Sequence, residues 1–177
     1  MTNKAFDYET GYYTGRTPRI QRIRSKSGAL LVTRKSSTLA NTDISRMFLP
    51  DAALCKRDLH RASLRDGNFR FGDFRGADLR YADLTNSKFT GADFRGADLR
   101  GASLRNANCR GANFTGADLR DACLRFVVLD SAVLIKANLT KVNALPQDLV
   151  GADLRKATVS VALKREIEKS GLAIRVK

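Results

Sequence analysis

A large apolar residue returns at every fifth position from Leu39 to Val159, and the register never slips. The run Leu59, Leu64, Phe69, Phe74, Leu79, Leu84, Phe89, Phe94 is typical; Cys109 and Ala144 are the small exceptions. A period of five fits neither the 3.6 of a helix nor the 2.0 of a strand. A continuous helix or strand cannot place these centres on one face; a corner after every short strand can. Two positions before most centres sits a small residue, as in Ala77, Ala92 and Ala97, with a polar residue between. Those three residues read small-in, polar-out, large-in, the alternation of a short strand. The next two are Arg, Thr, Gly, Asn or Asp in most repeats, which suit a turn.

A second period of 20 lies inside the first. Leu59, Leu79, Leu99, Leu119 and Leu139 form one series, and Phe74, Phe94 and Phe114 another. Four pentapeptides per coil would stack residues 20 apart, so like packs on like. At the ~4.8 Å spacing of β-structure, residues 39–159 make about six coils and a rod of roughly 30 Å. Departures gather at the ends. Arg57, Val127, Val142 and Gln147 occupy small-residue slots, and Pro146 interrupts a turn.

The unit Ala-Asp/Asn-Leu/Phe-Arg/Thr-Gly, seen in 76–80 and 91–100, resembles the pentapeptide-repeat family. The resemblance implies an all-β solenoid, a right-handed quadrilateral β-helix. The expected layout is a basic N-terminal arm or cap over 1–38, the β-helix over 39–159, and a C-terminal helix and tail over 160–177. Family members include gyrase-interacting proteins that resemble duplex DNA in shape and acidity. This chain departs from them, since its formal net charge is +14.

That charge favours acidic partners: nucleic acid, an anionic membrane surface or an acidic protein face. Basic residues gather in the N-terminal arm at Arg16, Arg19, Arg22, Arg24, Lys26, Arg34 and Lys35. There Ile20 and Ile23 face Leu30 to Val32 across Ser25-Lys26-Ser27-Gly28, a hairpin pattern. On the solenoid, Arg80, Arg100 and Arg120 stack beside Asp58, Asp78, Asp98 and Asp118, a balanced and solvated face. Arg70, Lys88 and Arg110 stack instead with Asn68 and Asn108, which predicts a net positive side. Outward aromatics are few, so the sequence does not predict a stacking platform for single strands.

Towards the C-terminus the outward positions turn apolar at Phe126, Val128, Val133, Ile135, Leu145 and Val150. Such a patch is expected to be covered, by the chain's own C-terminal segment or by a second copy. Residues 160–172 read as a helix with Gly171 as C-cap, placed to close the open end of the solenoid. A homodimer through this end is the corresponding expectation.

No catalytic constellation is legible. His60 is the one histidine, and it has no nucleophile arranged beside it. The three cysteines lack metal-ligand spacing, and there is no phosphate-loop motif. No cofactor, metal or small-molecule substrate is expected. No apolar run reaches a membrane span, and the polar N-terminus lacks a signal-peptide core. The expected location is intracellular or in a virion. The expected role is a non-enzymatic scaffold that docks to a larger assembly, such as a viral capsid or tail, through its basic arm and β-helix surface. The alternatives are a nucleic-acid-associated protein and a topoisomerase-protection protein of the resembled family.

Overall fold

The computed structural model of the chain describes residues 5–6, 13–14, 20–35 and 38–172. From residue 38 onward it is a right-handed quadrilateral β-helix. Single-residue parallel bridges join positions 20 apart, as in Asp58↔Asp78↔Asp98↔Asp118. Each link uses two backbone bonds: Leu79 N–H donates to Asp98 O (2.8 Å), and Asp98 N–H to Ala77 O (3.0 Å). The four faces are named here by their centres. The first carries Leu59 and Leu79, the second Leu64 and Leu84, the third Leu49, Phe69, Phe89 and Cys109, and the fourth Leu54, Phe74 and Phe94.

The corners explain why the register holds. At the ordinary corners from Leu49 onward the centre's C=O accepts from the N–H three residues on, as Leu79 O does from Ala82 (3.0 Å). The residue two after the centre has positive φ at every corner from Asn41 to Lys156 except at Pro146. That left-handed slot is the third position of a tight turn. Proline holds φ near −65° and cannot enter it. There the chain turns instead through a 3₁₀ helix, Pro146–Leu149, and the register resumes at the buried Leu149.

The core is a column of stacked rungs. Phe74, Phe94 and Phe114 stack at 4.8 Å between successive ring centroids, and Phe69 stacks on Phe89 at 5.5 Å. The two Phe columns meet edge to face at 5.3–6.0 Å, a favoured aromatic arrangement. Gly72 fills the small slot before Phe74 because a Cβ there would lie 2.7 Å from that ring.

Both ends of the column are covered. Strands β1 (Ala5–Phe6) and β2 (Tyr13–Thr14) pair antiparallel with each other. Strands β3 (Ile20–Ser25) and β4 (Leu30–Lys35) form the expected hairpin. β3 then pairs antiparallel with β5 (Ala52–Ala53) on the fourth face of the first coil. Lys26 N–H donates to Asp51 O (2.9 Å), and Ile23 is buried in the core. The hairpin thus occupies a sheet edge that no earlier coil satisfies. At the other end β6 (Asn138–Leu139) pairs in parallel with β7 (Thr158–Val159), and α1 (Val161–Ser170) follows. Ser160 Oγ caps α1 by accepting from Leu163 N–H, and Gly171 ends it at φ 65°. Leu163 and Ile167 are buried against the last coil, while Lys164, Arg165, Glu166, Glu168 and Lys169 face outward. The outer surface of this end is therefore charged.

Candidate functional site

Short outward strands and left-handed corners set every surface side chain, so the surface divides by face. On the first face Asp78, Asp98 and Asp118 are each locked to the Arg two residues on, while Asp58 accepts from Thr38 Oγ1 and from the backbone N–H of His60. Arg80 donates through Nε to Asp78 Oδ1 (2.9 Å) and through Nη2 to Oδ2 (2.6 Å). Arg100 with Asp98 and Arg120 with Asp118 repeat this fork. The same carboxylate accepts the backbone N–H of its Arg, as Asp78 does from Arg80 (3.1 Å). The fourth face does likewise in Asp73–Arg75, Asp93–Arg95 and Asp153–Arg155. The side-chain bonds from Arg75, Arg80 and Arg120 hold the carboxyls of Asp73, Asp78 and Asp118 below the usual range. At Asp93 burial pushes upward, but the bonds and charge of Arg95 prevail, and the carboxyl is again depressed. On the second face Arg65 lies 3.4 Å from Asp66 and 3.9 Å from Asp83.

The third face differs. Its outward column is Phe48, Asn68, Lys88, Asn108 and Val128, joined by parallel bridges and free of carboxylates. Carboxylates occur along its borders at Asp51, Asp66 and Asp130, and at the column's far end at Asp148, whose side chain is buried. Arg46, Arg70, Lys88 and Arg105 pair with no carboxylate among the described residues. Arg110 departs from the sequence expectation: its Nη2 meets Asp130 Oδ2 at 2.7 Å, one coil further on. Its positive charge is therefore locally offset, because the 20-residue stack brings Asp130 beside it.

Three of the four exposed aromatic side chains among the described residues surround this same face; the fourth, Tyr81, lies on the corner between the first and second faces beneath Arg61. Phe48 is 74% exposed, Phe126 55% and Phe71 46%. Phe71 and Phe126 occupy left-handed corner slots, with φ of 57° and 60°. Such a conformation costs a bulky residue about 1–2 kcal/mol. The Phe71 ring lies over Gly91 of the next coil, where a Cβ would sit 2.6 Å from it. Glycine there leaves room for the ring to lie against the backbone. The guanidinium of Arg70 stands 5.6 Å from the Phe71 centroid. Arg125 and Arg105 stand 4.7 and 5.7 Å from that of Phe126. Phe48 escaped the sequence reading because it lies in the irregular first coil. Its signal was the stack 48, 68, 88, 108, which holds no acid.

The C-terminal apolar residues do not form one patch. Phe126, Val128, Leu145 and Val150 lie on the third face or its corners, and all are exposed. Val133 lies on the fourth face and Ile135 on the corner beyond it, both half-buried. The grouping expected from sequence is corrected here: positions two residues apart across a corner face different directions.

The basic N-terminal residues are likewise divided. Arg16 and Arg19 lie outside the described residues. Arg22, Arg34 and Lys35 belong to the strands of the docked hairpin, where only the backbone is described. Arg24 is exposed and donates to Gly28 O (2.7 Å). Lys26 lines an open cleft with Ala53, Asp73, Arg75 and Asp93, and its charge helps depress Asp73. Residues 20–35 therefore cap the first coil.

Cys109 is a core rung whose thiol burial pushes up, and Cys55 and Cys123 are half-buried and unpaired. No group of His, Cys, Asp or Glu able to hold a metal ion occurs among the described residues.

This is the architecture of a repeat solenoid. The sequence model described as pentapeptide repeats matches in eight copies over residues 58–96, 92–129 and 117–144. The chain belongs to the pentapeptide-repeat family. No curated protein matches it. Among solved structures it is similar to a pentapeptide repeat protein from Nostoc PCC 7120, with 33% identity, 59% of this chain and 86% of that one covered, and a TM-score of 0.49. A pentapeptide repeat protein of the Arabidopsis thaliana thylakoid lumen is 26% identical over 59% of this chain and 77% of that one, with a TM-score of 0.41. A plasmid-mediated fluoroquinolone resistance protein is 19% identical over 76% of this chain and 95% of that one, with a TM-score of 0.30. Family members are generally non-enzymatic structural or interaction proteins. No helix among the described residues is long and apolar enough to cross a membrane.

Proposed function

We propose that this protein is a non-enzymatic docking scaffold that holds an anionic partner on its third face. One observation carries the reading: Arg46, Arg70, Lys88 and Arg105, without carboxylate partners, share that face with three exposed rings, while the first and fourth faces fork most of their Arg side chains to Asp. Guanidinium groups already forked to Asp have little left to offer a ligand; Arg46, Arg70, Lys88 and Arg105 keep their donors. The rod presents this face over about four coil steps, roughly 19 Å. The capping hairpin and the C-terminal helix keep its ends from stacking on other β-edges.

A decoration or cement role on a viral capsid or tail is the finer form of this reading, with a basic segment and a basic face meeting an acidic shell. A topoisomerase-protection role by resemblance to DNA is less well supported. The carboxylates of the first and fourth faces are neutralised in place by Arg, so no anionic face remains there to imitate a duplex.

The test is retention on heparin, a flexible polyanion. R70E/K88E is expected to elute at clearly lower salt than the parent, while R80E/R100E on the first face, which removes the same charge, is expected to shift much less. Equal losses for both variants would assign the retention to net charge and remove the third face as a site.

A further inference from the structure

The docking reading leaves the chemistry of the partner open, and the arrangement within the third face narrows it. A face built for a protein partner carries its apolar anchors at the centre and its charges at the rim. Here the order is reversed. The centre is Asn68, Lys88 and Asn108, and the rings of Phe48, Phe71 and Phe126 stand around it. Phe71 is laid against Gly91, which leaves its outer side to solvent beside the guanidinium of Arg70. Phe126 carries two guanidinium groups. Rings and Arg planes around a track of cations and amides are what a strand of unstacked bases requires. Bases stack on the rings and guanidinium planes, and phosphates follow the cations. A second copy of the chain is a poor occupant, because two such faces would bring like charges together.

Resting on the docking reading, we propose that the third face binds single-stranded nucleic acid, with Phe48 and Phe71 stacking bases and Arg70, Lys88 and Arg105 contacting phosphate. A duplex offers the cations its phosphates but keeps its base faces occupied, so the rings distinguish the two forms. The amides of Asn68 and Asn108 can reach base edges without a fixed sequence preference.

The experiment is fluorescence anisotropy on the full chain with labelled oligo(dT) and oligo(U) of about 15 nucleotides. Unlabelled duplex DNA, heparin and polyglutamate serve as competitors. F48A/F71A is expected to bind both oligonucleotides roughly tenfold more weakly and to keep the parent's affinity for heparin. R70E/K88E is expected to lose both ligands. R16S/R19S tests the N-terminal segment separately and is expected to leave the effect of F48A/F71A unchanged.

The proposal is overturned if F48A/F71A binds oligonucleotides like the parent, if duplex competes as well as single strand, or if polyglutamate displaces the oligonucleotide as readily as unlabelled oligo(dT) does. Loss of oligonucleotide binding with R16S/R19S alone, and not with either face variant, also overturns it. Heparin binding that survives R70E/K88E removes the docking reading itself, whereas heparin binding lost with R70E/K88E but no effect of F48A/F71A removes only the nucleic-acid reading.

Discussion

Asp148 shows how one side chain repairs a fault in a repeat. At an ordinary corner the left-handed residue's N–H donates to a carbonyl of the next coil, as Gly111 does to Asp130 O (2.9 Å). With Pro146 in the slot, Phe126 has no such partner and donates instead to Asp148 Oδ1 (3.0 Å). Asp148 Oδ2 accepts Leu145 N–H (2.8 Å) and Arg125 Nη1 (2.6 Å). The carboxylate side chain is 4% exposed, so its removal strands two backbone donors and a partly buried guanidinium. Asp148→Ala is expected to destabilise by about 2–4 kcal/mol in urea unfolding, below the full cost of a broken buried pair because Arg125 keeps some solvent. Gly72→Ala acts by the opposite route. Its Cβ meets Phe74 at 2.7 Å and the backbone O of Phe69 at 3.0 Å, which overpacks a stacked rung at about 1–3 kcal/mol. The same urea titration should register that loss.

The two caps belong to the scale of elements. The β3–β4 hairpin is held by two β-pairs and by Ile23, so Ile23→Asp is expected to unseat it. Hydrogen exchange of the amides around Ala52 and Ala53 should then accelerate strongly, while the middle coils keep their protection. Unchanged protection would show that pairing alone holds the cap. Ser160→Ala removes the cap of α1 and is expected to cost about 1 kcal/mol. The elements themselves were legible before any coordinates. The unbroken centres read as coils, Ser25 to Gly28 as a hairpin turn, and Gly171 as a helix end. Docking was not legible, since nothing in β3 announces that its partner is Ala52–Ala53. Pro146 read as a fault, but its remedy depended on Asp148 reaching back 22 residues to Phe126. The acid-free column was open to inspection once positions 48, 68, 88 and 108 were aligned; it was missed at Phe48 because the first coil looks irregular. Arg110 read as free because its partner, Asp130, is near only after folding.

At the scale of the molecule, the Asp–Arg ladders make stability depend on acid. The folded-state carboxyls of Asp73, Asp78 and Asp118 lie below their ordinary value. Their contribution is fully present above the unfolded pKa, about 4, and is lost as pH falls through the depressed folded values. Arg stays charged throughout, so nothing on the acid side offsets this. The melting temperature is expected to stay level from neutrality to about pH 5 and then to fall, with D78N/D118N showing a shallower acid decline. A parallel decline in that variant would place the acid sensitivity elsewhere. The corner rule has a further consequence for how such a chain can change in length. Removing or duplicating 20 residues in the middle coils would shorten or lengthen the rod by one step and leave each column in line. A change of five residues would keep every centre pointing inward, but it would set Phe columns against Leu columns and rotate everything beyond it by a quarter turn. Phe126 and Val128 would then no longer share a side with Lys88. The inward register survives quarter-turn edits, while the stacked columns and the surface require whole coils, so the shape of this molecule and its recognition obey two different units of inheritance.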